Sequence, residues 1–115
     1  TGVPGVSKMD FSGIEKAEGG KTVAEIYNEK ANLSGKVIVI RGKVVKFSSG
    51  IMGKNWIHLK DATDVEGVKD LTITTNAKVQ VGDTILARGI VVTNKDYGYG
   101  YKYDVIIEEA KITVE

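Results

Sequence analysis

KVIVIRGKVVKF, residues 36–47, is the stretch on which the reading of the fold turns. It is rich in valine and isoleucine, whose branched side chains crowd a helix but pack well on a pleated surface, so it predicts a long strand. One glycine, Gly42, interrupts it. In a closed barrel the first strand must bend so that its two halves pair with different neighbours, and a mid-strand glycine permits that bend at low steric cost. The next glycine along, Gly50, is expected beyond the strand, in a turn over residues 48–53.

Four more strands follow downstream. Residues 55–61 alternate, with Ile57 and Leu59 on one face and Trp56, His58 and Lys60 on the other. An acidic loop over 61–70 leads to a third strand at 71–75, with Leu71 and Ile73 expected inward and Thr72 and Thr74 outward. A turn at 81–83 opens a fourth strand over 84–92, with Gly89 near its middle. After a glycine-containing loop at 94–100, a fifth strand spans 101–107 and resumes, past an irregular stretch near Glu108 and Glu109, through 111–114. No unit recurs, which excludes a repeat protein.

Upstream, Thr22 and Glu25 have the spacing of a capping box. Val23, Ile26, Tyr27 and Ala31 fall at helical intervals, predicting a short amphipathic helix over about 22–31 whose apolar stripe would close an open barrel end. Residues 1–20 show no sustained period and read as an arm docked by Val3, Val6, Phe11 and Ile14, leaving residues 21–115 as the domain.

Composition fits this all-β reading. The chain has 115 residues, enough for one modest core, and 14 glycines against one proline suit short twisted strands. With no cysteine, disulfides, thiolate nucleophiles and cysteine-held zinc are excluded. No apolar run is long enough to span a membrane, and no signal peptide is evident; a start at Thr1 fits either a trimmed or a processed chain. Net charge is only +1, but its distribution is uneven. From Lys30 to Lys60 the charged residues are Lys30, Lys36, Arg41, Lys43, Lys46, Lys54 and Lys60, with no acid among them, so the first hairpin is a basic segment.

GKVIVIRGKVV at 35–45, WIHLKD at 56–61 and VGDTILARGIV at 81–91 together resemble OB-fold domains of the tRNA-anticodon-binding type, over roughly residues 36–112. The resemblance implies a five-stranded OB-fold Greek-key barrel with a short N-terminal helix. In the aspartyl-tRNA synthetase version the second strand carries an aromatic residue that stacks on an anticodon base, a position matched by Trp56, followed by a basic residue and a closing aspartate, matched by Lys60 and Asp61. Two departures stand out. Asp64 occupies a place where glycine is usual, and residues 76–81 leave no room for a helix between the third and fourth strands, so the N-terminal helix is expected to cover that end. GKTVAEIY at 20–27 and IMGKNW at 51–56 are similar to small bacterial OB-fold proteins that often carry an export signal or lipoprotein anchor, which implies an exported, periplasmic or lipoprotein-anchored protein.

Such barrels bind on the outer face of the second and third strands, between the loops after the first and fourth. There the sequence places Trp56 as a stacking surface, His58, Lys60 and Lys54 as donors or charges, Thr72 and Thr74 as hydroxyls, and Lys43 and Lys46 on the neighbouring strand to meet phosphates. The alternative is that Trp56 packs under the N-terminal arm and the lysines only solubilise. Tyr97, Tyr99, Tyr101 and Tyr103 recur at every second position, which reads either as an aromatic wall led by Tyr97 and Tyr99 or as ordinary cross-strand pairing.

Other motifs fail on spacing. Gly20-Lys21-Thr22 lacks the glycine a phosphate loop needs at position 15, where Glu15 stands. Asp61, Asp64 and Glu66 do not reproduce a calcium loop. The single histidine, His58, has no catalytic or metal-binding partner at recognisable spacing. The expected function is therefore a non-enzymatic binding module, without cofactor or metal, for single-stranded nucleic acid or a similar anionic, stackable ligand. The alternative is an exported interaction domain for a protein or a small ligand.

Overall fold

A computed structural model describes residues 9–115; Val3 and Val6 of the expected arm lie outside them. The strands are β1 (Val37–Ile51), β2 (Lys54–Lys60), β3 (Leu71–Thr75), β4 (Thr84–Asp96) and β5 (Lys102–Val114). They close into one all-β barrel in the order β1-β2-β3-β5-β4, antiparallel throughout except for the β3/β5 pair. Among the described residues no helix is long and apolar enough to cross a membrane.

The changeover in β1 falls where the sequence places it. Val37 to Lys43 pair with β4, and Lys43 to Ile51 pair with β2. Gly42 is required by proximity: a Cβ there would lie 2.6 Å from Leu59 Cγ and 2.8 Å from the Lys60 carbonyl oxygen. Gly50 corrects the reading. It lies within β1, and the chain reverses only at Met52 (φ 53°) and Gly53 (φ 74°). Two consecutive left-handed residues match the right-handed twist of the flanking strands, which is why a two-residue loop suffices here.

Inward side chains supply the core. Ile38, Ile40, Val44, Ile57, Leu59, Leu71, Ile73, Ile85, Val91, Val105 and Ile107 are all buried in one cluster. Each large aliphatic side chain so buried stabilises by roughly 1.5–3 kcal/mol.

The expected single helix is two short segments, α1 (Val23–Asn28) and α2 (Lys30–Leu33), separated at Glu29 (φ −105°, ψ 12°). The capping box forms with both of its bonds. The break lets Val23, Ile26 and Leu33 all enter the core, while Ala31, expected on the stripe, is exposed. The helices seal the barrel end beside the 61–70 loop: Asp61 Oδ2 accepts from the Val23 N–H at 2.9 Å, and the Tyr27 hydroxyl donates to the Asp70 carbonyl at 2.8 Å. Segment 76–83 contains no helix, and from it Val79 alone joins the core.

The described part of the arm lies along the outside of β1. Arg41 donates to the Glu15 carbonyl at 3.1 Å and Lys43 to the Asp10 carbonyl at 3.1 Å, and just past the arm the Lys21 N–H donates to the Val39 carbonyl at 2.8 Å.

Candidate functional site

The outer face of the β1–β2 ribbon gathers most of the residues singled out in the sequence. Lys43 lies directly across from Lys60, Lys46 from His58, Ser48 from Trp56, and Ile51 from Lys54. Strict alternation would put Lys43 and Lys46 on opposite faces. A register shift between Val44 and Lys46 absorbs one extra residue and turns both lysines outward, while Val44 and Phe47 still pack on the core.

One half of this face is covered by the chain itself. β4 runs further than expected, to Asp96, pairing with β5 through Lys95↔Tyr103 and Asp96↔Lys102, and the tip of this hairpin bends over β2. Tyr97 meets Trp56 edge-on at a centroid distance of 5.1 Å, Tyr101 lies at 5.9 Å, and Tyr103 stacks at 6.0 Å with an interplanar angle of 29°. The indole N–H donates to the Ile51 carbonyl at 2.8 Å. Trp56 is left 3% exposed, so the stacking surface expected of it is already occupied, by tyrosines and not by the arm. Thr72 and Thr74 point outward as expected, yet both are buried, so neither hydroxyl is open to a ligand.

The Tyr97 hydroxyl donates to Glu108, and the Lys95 ammonium lies 3.6 Å from the same carboxylate. Burial first, and the Glu108 bond second, raise the Tyr97 phenol well above its ordinary value. Thr74 Oγ1 lies on the side of this phenol and is the one buried side-chain polar atom among the described residues without a hydrogen-bond partner.

The other half of the face carries charge. Lys60 Nζ lies 5.1 Å from the centre of the Phe11 ring, and Lys43 donates to the Asp10 backbone carbonyl, its charge also helping, behind the Ser12 hydrogen bonds, to lower the Asp10 carboxyl. Lys46 is exposed. Among the described residues, none of Lys43, Lys46, Lys54 and Lys60 is in an ion pair. His58 differs, since its Nδ1 lies 3.0 Å from Asp70 Oδ1. Lys54 stands at the far end of the ribbon with its ammonium 6.0 Å from the Tyr97 ring centre.

Tyr99 is set apart from its neighbours. It is 94% exposed at the hairpin tip, with φ 55° between Gly98 (φ 84°) and Gly100 (φ 85°). Sequence reasoning missed Asp70, Lys95 and Glu108. A period of two shows that the tyrosines share a side of an extended chain, but not which surface a bent hairpin brings them against.

Compared with protein-family models and with curated proteins, the chain matches none.

Proposed function

We propose that this chain is an OB-fold module without catalytic activity that binds an extended anionic ligand, single-stranded nucleic acid first of all, along the outer face of β1 and β2. The strand order, with β1 shared between two partners and β3 parallel to β5, supports the OB-fold reading. One observation carries the ligand class: Lys43 and Lys60 are partners across the strands, with Lys46 beside them, and none is in a salt bridge among the described residues, the Asp10 carboxylate reaching Lys43 only at longer range. Like charges directly opposite on a sheet cost stability, a cost that an arriving anion removes. Lys54 lies about 20 Å further along β2 at strand rise, past the stretch around Trp56 that the hairpin covers, so a ligand that reaches it must pass over the hairpin. Stacking would come from the exposed tyrosines of the hairpin, not from Trp56.

Fluorescence anisotropy of a labelled twelve-nucleotide oligothymidine tests this reading. Binding through three or four lysines predicts that log K falls with log salt at a slope of about −2 to −3. Triple replacement of Lys43, Lys46 and Lys60 by Glu should abolish binding while circular dichroism stays unchanged. Failure of the unaltered protein to bind at low salt would end the proposal.

A second reading rests on Tyr99. A tyrosine held in the left-handed region and almost wholly exposed suits contact with a protein or small ligand, because tyrosine offers large contact area at low entropic cost. Export, implied by the resemblance to bacterial exported OB-fold proteins, would favour this partner over nucleic acid. Tyr99→Ala separates the two: loss of a partner without change in the salt slope for oligonucleotides favours the second.

A further inference from the structure

We propose that the open edge of β5 is a second binding site, which takes an extended acidic peptide by strand addition. The argument begins with hydrogen-bond phase. The Glu115 N–H donates to the Thr84 carbonyl at 2.8 Å, in the same register as the pairs Leu86↔Thr113 and Arg88↔Lys111. In an antiparallel ladder, bonded and non-bonded pairs alternate, so residues 111, 113 and 115 point their backbone groups toward β4. Ala110, Ile112 and Val114 point theirs away, toward the β3 side.

On that side the parallel ladder stops at Thr75↔Ala110. The Ala110 carbonyl is taken by the Thr75 hydroxyl at 2.7 Å. Beyond it, the backbone N–H and C=O groups of Ile112 and Val114 have no backbone partner on this side among the described residues. The neighbouring carbonyls of Asn76 and Ala77 are held by the Asn55 amide at 3.3 and 2.9 Å, so they do not close the gap. A cleft of about 620 Å³ runs along this edge, lined by Met52 to Lys54 of the β1–β2 turn, by Thr74 to Ala77, and by Glu109 to Ile112. An extended peptide entering there meets a ready row of donors and acceptors, which is the basis of strand addition.

Charge selects the occupant. Lys54 and Lys111 flank the cleft without an ion-pair partner among the described residues, against the single carboxylate of Glu109. The left-handed Glu109 (φ 53°) forms the irregularity at which β5 parts from its earlier register with β4. Side chains of an added strand alternate, so acidic residues at every second position would face the lysines while the others cover Ile112.

The test uses the synthetic heptapeptide Thr-Glu-Val-Glu-Val-Glu-Thr and its counterpart with lysine in place of glutamate, each titrated into the ¹⁵N-labelled protein. Slowed amide exchange at Ile112 and Val114, with shift changes confined to residues 52–54, 74–77 and 109–114, is the expected result. Lys111→Glu, which lies outside the β1–β2 lysine row, should weaken the acidic peptide about two- to fivefold, the range of one screened surface charge pair. Val114→Pro should remove one edge donor and weaken both peptides, with the β4 pairing kept. Shifts centred instead on Lys43, Lys46 and Lys60, equal binding of the lysine peptide, or protection of Ile112 and Val114 that appears without peptide as protein concentration rises would each overturn the proposal. The oligonucleotide slope is read separately, so failure here leaves the β1–β2 reading standing.

Discussion

The two halves of the outer β1–β2 face are built from adjacent residues of the same strands and end in opposite conditions. Around Trp56, rings fill the space above rings, the indole N–H and the Tyr97 hydroxyl have acceptors, and little is left for a ligand. Around Lys43 and Lys60, two lysines are paired across the strands, one ammonium on the Asp10 carbonyl and the other over the Phe11 ring, and neither is in a salt bridge among the described residues. An aromatic residue on the outside of a barrel can thus belong to the fold, whereas charge left uncompensated is what remains available to a partner.

The largest effect should come from the aromatic half. Trp56→Ala removes a fully enclosed ring and is expected to cost about 3–5 kcal/mol in urea unfolding; a loss under about 1 kcal/mol would mean the hairpin does not depend on the indole, and the contrast would collapse. Alkaline pH acts on this half, through Tyr97 and Tyr103, and on the helix-sealed barrel end, through Tyr27. Burial raises the Tyr27 phenol from 10.0 to about 12 and raises Tyr97 and Tyr103 as well. Each holds its proton more tightly in the folded state, so its stabilisation is complete below pH 10 and is lost as pH climbs from about 10 toward 12. Denaturation midpoints flat across that window would contradict the enclosure of these rings.

Tyr97→Phe keeps the ring and removes the bond to Glu108. It should cost about 1.5 kcal/mol, and Trp56 emission, read in the same samples, should stay blue-shifted. At the other extreme, Lys46→Glu should change stability by no more than about 0.5 kcal/mol, as expected of an exposed site. It should nevertheless lower the magnitude of the oligonucleotide salt slope by about 0.7 per lost contact. A stability change larger than the binding change would show the lysine half to be structural too.

Strand alternation made most of the barrel legible. Ile57 and Leu59 inward, Trp56 and His58 outward, and the bend at Gly42 all follow from local chemistry. The end of β1 was not legible, because Ser48 to Gly50 have turn composition while the reversal depends on the twist-matched pair Met52 and Gly53. The candidate site was legible as a set of residues but not as a surface. No residue type announces the extra residue that turns Lys46 outward, and the partner of His58, Asp70, arrives only when β2 and β3 pair. The fate of Trp56 depends on a hairpin more than forty positions downstream.

The division of β1 between two partners also sets how the molecule can come apart. Its first half is stitched to residues 84–90 and its second to residues 54–60, so both sides of the enclosure hang on one uninterrupted backbone. Nicking the chain between residues 43 and 44 would turn a single staple into two frayed ends and open the interior from both directions. A nick in the 61–70 loop would spare it. Assembly meets the same constraint in reverse: the final stitch must wait for distant segments to meet, which places this chain among the slower folders of its size, on the millisecond-to-second scale.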